Sequence, residues 1–187
     1  MFDKILQISE EEMLFSKEDK DVYRYGYQLI KETLIQVVLA LMIAVFLNKV
    51  SVLILFSAFF VPLRSFSGGY HAKNATLCAI LSNLVLLATY WANDFLHKHP
   101  LHVGYIVVCM VVFAIVICAL SPIDSRAKRL TDSQKIKYRR IVIGIVLIEM
   151  VIQVCMLPNK TYLVCVVFLV QMISLLAAKG FCLDERV

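Results

Sequence analysis

His71 and Cys78 are the two residues of this chain whose types and spacing suit covalent chemistry. They sit in a polar break, Arg64-Ser-Phe-Ser-Gly-Gly-Tyr-His-Ala-Lys-Asn-Ala-Thr-Leu-Cys78, within a sequence otherwise dominated by apolar runs. A free thiol titrates at about 8.5 and only its thiolate attacks a carbonyl carbon well, so a reactive cysteine needs an imidazole or a positive field beside it. His71 supplies a proton acceptor, and Arg64 and Lys73 supply positive charge. Ser67, Gly68, Gly69 and Asn74 complete the supporting set. The competing reading is a packed cysteine and an ordinary hydrogen-bonded histidine sharing a loop, because a Cys and a His seven apart are not a specific signal.

On one continuous helix the two side chains would share a face but stand about 10.5 Å apart along the axis, beyond hydrogen-bond reach. The segment between them must therefore fold back. Pro62 and Gly68-Gly69 disfavour helix, which predicts a loop from about 62 to 73, with 64–74 as the catalytic loop. Asn74 is then expected to cap a helix through its side-chain oxygen, with Ala75, Thr76 and Leu77 as the first turn and Cys78 just behind it, in that turn's positive field. Backbone N–H groups around Gly68 and Gly69 are candidate oxyanion donors.

The elements that position this break are apolar helices. The chain has 187 residues, is 60% hydrophobic and has a mean hydropathy of +0.79, far above a soluble domain. Apolar runs fall at about 33–47, 50–63, 75–93, 103–120, 141–157 and 162–179. A helix needs about 20 residues to cross about 30 Å of hydrocarbon, so the last four suffice and the first two are short, the second being a candidate re-entrant segment. The expected fold is all-α: a polytopic membrane helical bundle of about six transmembrane helices. It forms a single integral membrane domain over 1–187. Residues 1–31 form a cytoplasmic or interfacial region with neither a cleavable leader nor a lipidation signal. Within it Ser9-Glu-Glu-Glu12 and Ser16-Lys-Glu-Asp19 carry capping-box spacing and predict one or two short interfacial helices. Tyr23, Tyr25 and Tyr27 read as headgroup-level anchors.

Lysine and arginine placement orients the bundle. With the N-terminus inside, sixteen of the nineteen fall on the cytoplasmic side and only Lys49, Lys98 and Lys160 on the other. The split rests mainly on the basic loop 124–140. It puts both termini and the His71–Cys78 break in the cytoplasm. The net charge of +5 thus serves topology, and nucleic acid is not an expected partner. Cys109, Cys118, Cys155 and Cys165 lie inside apolar runs and read as small buried hydrophobes, not as a disulfide framework.

The run Arg64 to Lys73, with Cys78 heading an apolar segment, resembles the signature of the accessory gene regulator B family. The likeness covers essentially the whole chain, including its length, its charged N-terminal region, its six apolar segments and Ser121-Pro-Ile-Asp-Ser125 opening a basic loop. The resemblance implies a cysteine endopeptidase of the bacterial cytoplasmic membrane, with His71 and Cys78 as catalytic dyad and Arg64 and Gly69 as the motif's arginine and second glycine. It implies that Cys78 cleaves an amphipathic propeptide, removing its acidic C-terminal tail and leaving a thioester that closes into a thiolactone for quorum sensing. Arg126, Lys128, Arg129 and Lys135 are then candidate tail-binding residues, although topology and attraction to anionic lipid account for the same charges. No cofactor or metal is implied.

Other polar residues compete for a role. Glu149 is the carboxylate well inside a span, with Gln153 on the same face, and an intramembrane acid is functional by default. A transporter with a polar path through Glu149, Gln36, Gln153 and Gln171 is therefore the alternative, although the chain has no inverted repeat and that reading leaves the Gly-Gly-Tyr-His segment unexplained. A purely structural assembly partner would explain the spans but not the dyad. His97, His99 and His102 cluster without further ligand residues. Short spans and isolated intramembrane polar groups favour a homodimer.

Overall fold

A computed structural model of the protein describes residues 17–70, 74–123, 131–156 and 162–184. Among the described residues are six helices, α1 (Lys17–Phe46), α2 (Val50–Ser67), α3 (Ala75–Lys98), α4 (Val103–Leu120), α5 (Asp132–Met156) and α6 (Leu163–Asp184). The polytopic helical bundle expected from hydropathy is the fold found. Five of the helices are long and apolar enough to cross a membrane, as Gly26–Phe46, Val50–Ser67, Thr76–Lys98, Val103–Leu120 and Leu163–Gly180. The helix outside that set is α5, whose apolar run 141–156 follows Arg139 and Arg140 directly and contains Glu149.

α1 runs unbroken for 30 residues. No separate short helix divides 17–31 from the first span, and the rest of the expected interfacial region, 1–16, lies outside the described residues. The chain separates into two compact units at Ile43 and Ala44, so α1 is described by itself. A turn at Leu47–Asn48 ends it, with Asn48 in the left-handed region at φ 55° and Lys49 N–H donating to Ala44 O at 2.7 Å. Asparagine tolerates that conformation better than most residues.

The remaining helices pack around α6, which touches α2, α3, α4 and α5. Each outer helix buries one stripe at helical spacing: Phe56, Phe59, Leu63 and Ser67 on α2, Ile106, Met110, Ala114 and Ile117 on α4, and Val142, Val146, Glu149 and Gln153 on α5. Ile54, Leu84, Val108, Ile115 and Ile148 point outward, as suits surfaces that meet lipid tails. By contrast α6 is buried on several sides, through Leu163, Val164, Val167, Phe168, Gln171 and Leu175. Its first turn is capped from another helix: Gln153 Oε1 accepts from Val164 N–H at 3.1 Å and from Cys165 N–H at 3.4 Å. A buried helix start has orphan donors that must find such partners.

The loop expected from Pro62 onward is corrected. α2 continues through Pro62 to Ser67, so Arg64 and Ser67 occupy its last turns rather than a loop. Proline removes one donor and crowds the preceding turn, but helices in an apolar setting tolerate it when neighbouring groups satisfy the backbone. Pro62 leaves only the Ala58 carbonyl without its helical donor. Ser65 Oγ donates to Val61 O at 2.7 Å and Ser67 Oγ to Leu63 O at 2.6 Å as back-bonds within the following turns. The result is an 18-residue helix, about 27 Å long, with no interior break of the kind a re-entrant segment needs.

Candidate functional site

The end of α2, the end of α4, the start of α5 and the C-terminal half of α6 meet at one end of the bundle. Three contacts define the meeting. Ile123 N–H, just past α4, donates to Ser67 O at 3.1 Å. Phe66 and Tyr138 meet edge to face with centroids 5.7 Å apart, tying α2 to the first turns of α5. Tyr70 N–H donates to Ser174 O of α6 at 3.1 Å.

Two glycines make the exit from α2 possible. Gly68 has φ 74° and Gly69 φ 139°, a left-handed region costly for residues with a Cβ. Space matters as much. A Cβ on Gly68 would stand 2.7 Å from Ile123 O, and one on Gly69 would stand 1.6 Å from Arg64 Nη1 and 2.7 Å from Ser174 Oγ. Both expected glycines are therefore required by backbone angle and by close approach. Of the N–H groups around Gly68 and Gly69 read as candidate oxyanion donors, that of Gly68 closes the helix by donating to Arg64 O at 3.1 Å.

Arg64 reaches across this turn. Its Nη1 donates to Gly68 O at 2.9 Å and to Ser174 Oγ at 2.6 Å, and its Nη2 donates to Tyr70 O. All three acceptors are neutral oxygens. The guanidinium is thus held by geometry without a carboxylate among these partners to cancel its charge, and it lies within electrostatic reach of Cys78. Cys78 is half-buried with a free thiol and sits one turn into α3, where its N–H donates to Asn74 O at 3.0 Å. Asn74 stands at the expected N-cap, but its side chain makes no capping bond. The expectation of a side-chain cap is corrected, because the exposed Asn74 contributes its backbone carbonyl instead.

Sequence reasoning missed Ser174 and misread Gln171. Gln171 is fully buried, and its Nε2 donates to Ser67 Oγ and, at 2.9 Å, to Gly68 O. The signal that would have found the pair is their spacing: polar residues three apart on one face of the apolar stretch 163–178. Ser67, a supporting residue in the expectation, is buried and links Leu63, Gln171 and Ile123.

His71 and Lys73 lie outside the described residues, as do Arg126, Lys128 and Arg129 of the basic loop. Lys135 is described, half-buried in the first turn of α5, with its N–H on Thr131 O at 2.9 Å. Thr131 N–H in turn donates to Gln134 Oε1 at 3.1 Å, one half of a capping box. Both ends of the basic loop, Ile123 and Tyr138, therefore touch the Arg64–Gly69 segment or its flank. At the other end of the bundle His102 Nδ1 accepts from Gly104 N–H at 3.2 Å. Among the described residues no group of three or more His, Cys, Asp or Glu is placed to hold a metal ion. Glu149 is buried, with Oε2 lacking a partner in the structure.

No curated protein and no solved structure matches the chain. A sequence model of one family, described as Accessory gene regulator B, matches residues 3–177. That span contains the whole Arg64–Cys78 segment, the basic loop and the α6 residues that hold Arg64, and the chain belongs to the accessory gene regulator B family, with the role in agr quorum sensing that membership supports.

Proposed function

We propose that the protein is a cysteine endopeptidase of the bacterial cytoplasmic membrane that processes a quorum-sensing propeptide, with its active site toward the cytoplasm. The observation that supports this reading is the Arg64 guanidinium, held by neutral oxygens of Gly68, Tyr70 and Ser174 in the turn that leads toward Cys78 at the start of α3. A cysteine peptidase needs a base and positive charge near its thiol, and His71, Arg64 and the helix start are the groups of this segment that would supply them. In the proposed reaction His71 takes the Cys78 proton and the thiolate attacks the carbonyl carbon at the cleavage site. The C–N bond breaks, His71 returns its proton to the departing amine, and the acidic tail leaves. A thioester joins the peptide to Cys78. A cysteine thiol within the peptide then attacks that thioester, forming the thiolactone and releasing Cys78. Thioester exchange is nearly balanced in energy, so the outcome depends on keeping water from the acyl group, which an apolar membrane edge favours. Lys135 and the basic loop would draw in the acidic tail.

The transporter reading loses support because its polar residues are engaged elsewhere: Gln153 caps α6 and Gln171 holds Ser67 and Gly68. Membranes carrying the protein, incubated with a candidate amphipathic propeptide that has an internal cysteine and an acidic C-terminal tail, separate the two readings. Cleavage is expected to vanish in Cys78→Ala and in His71→Ala and to survive Glu149→Gln. Cleavage that persists in both dyad variants would sink the proposal.

A further inference from the structure

Away from the candidate site, the end of α3 and the start of α4 carry aromatic rings that the bundle leaves uncovered. Trp91, Phe95 and His99 follow one another at four-residue spacing along α3 and its C-cap, with centroids 5.3 Å and 4.9 Å apart. Trp91 is 69% exposed and Phe95 47%. At the start of α4, Tyr105 is 70% exposed and meets His102 edge to face with centroids 6.2 Å apart. His102 Nδ1 accepts from Gly104 N–H, which leaves Nε2 as the donor of that ring. The ladder on α3 thus passes from indole to phenyl to imidazole toward the helix end, and His97, Lys98, His99 and His102 are all exposed there.

A charge pair marks the level of these rings. Lys49, just ahead of α2, pairs with Asp94, and both side chains are partly open to the surroundings, whereas charges at the centre of a bilayer are expensive. From Ala75 to Asp94 α3 covers about 30 Å, the thickness of a hydrocarbon core. The turn after Asp94, through Lys98, therefore reaches into the headgroup layer. We propose that Trp91, Phe95 and Tyr105 form an interfacial surface that takes phospholipid at the boundary between acyl chains and glycerol, with the segment from His97 to His102 among the headgroups. A ring with one N–H or O–H gains most at this level, where its body meets acyl chains and its donor meets lipid oxygens. Charge fits as well: Asp94 is engaged by Lys49, and Lys98 and the imidazole donors complement phosphate oxygens. This surface also sets depth. α2 is about 27 Å long, so with Lys49 at one boundary Phe66 and Ser67 come to the opposite one, and the Gly68–Tyr70 turn opens at the membrane edge.

Trp91 is the single tryptophan of the chain, so the unaltered protein carries its own probe. The full chain is placed in phosphatidylcholine vesicles brominated near the glycerol, midway along the acyl chain or at the chain end, and Trp91 fluorescence is read. Quenching by near-glycerol bromines is expected to exceed quenching by chain-end bromines about twofold or more. The double variant Trp91→Phe, Tyr105→Trp should show the same order. Trp91→Phe with Phe66→Trp should show it again, from the opposite boundary. Strongest quenching of Trp91 by chain-end bromines would overturn the proposal, because it places the ladder in mid-bilayer. Resistance of Trp91 to every bromolipid and to acrylamide would overturn it too, as the mark of coverage by a second copy, and so would quenching by acrylamide alone, the mark of exposure to water. A chain-end preference at Phe66→Trp would overturn the depth assigned to α2.

Discussion

The two ends of α2 are tied down in opposite ways. At its start, Lys49 pairs with Asp94 of α3, and both side chains are partly open to the surroundings. Trp91 and Phe95 stack beside that pair with centroids 5.3 Å apart, and His99 lies against Phe95. At its finish, Arg64, Ser67, Gly68 and Tyr70 exchange hydrogen bonds with α6 and with the segment after α4. Charge meets charge at the first end. At the second, a charge meets only neutral oxygens, and its positive field is left over for another group. An ion pair spends its field on itself, whereas a guanidinium bound to carbonyls and a hydroxyl keeps its net charge.

Gly69→Ala breaks the second end most directly. A methyl group there would overlap Arg64 Nη1, so Arg64 must swing away from Ser174. Propeptide cleavage in membranes should fall by about a hundredfold, as expected when a catalytic group is displaced by an ångström or more. Parent-level cleavage by inserted Gly69→Ala protein would show that the Arg64 arrangement is dispensable. Gln153→Leu addresses the bundle between the ends by stripping the cap from α6. Stability should drop by about 1–3 kcal/mol, the cost of leaving buried donors unpaired. Thermal unfolding in detergent micelles reads the drop, and an unchanged melting temperature would refute the capping role. Lys49→Ala is the mildest change. An exposed ion pair is worth about 0–1 kcal/mol, so melting should shift by a degree or two and cleavage should hold. A loss of cleavage as large as that of Gly69→Ala would erase the distinction between the ends.

Much of the fold was legible in the residues because apolar runs of spanning length leave a chain little choice. The backbone must satisfy its own hydrogen bonds in hydrocarbon, and helices do that segment by segment. The boundary at Pro62 was misjudged for a related reason. Proline forfeits one hydrogen bond, to the carbonyl four residues before it, and in an apolar span the rest of the helix still satisfies its own backbone, so α2 runs on to Ser67. The need for glycine at 68 and 69 was legible as backbone freedom, yet the second half of the need was not. What fills the space beside Gly69 is a side chain from five residues earlier and another from a helix a hundred positions away.

The sequence by itself determined the helices, the polar break with its cysteine at a helix start, and the basic segments that flank the spans, because these follow from local composition and periodicity. Only the tertiary structure decided that Gln171 and Ser174 serve this break. It also decided that Gln153 caps α6 and that the Arg64 charge is held by neutral oxygens. A hydrogen bond depends on separations of about 3 Å and on angle, and residues more than a hundred positions apart acquire such a separation only when the bundle closes.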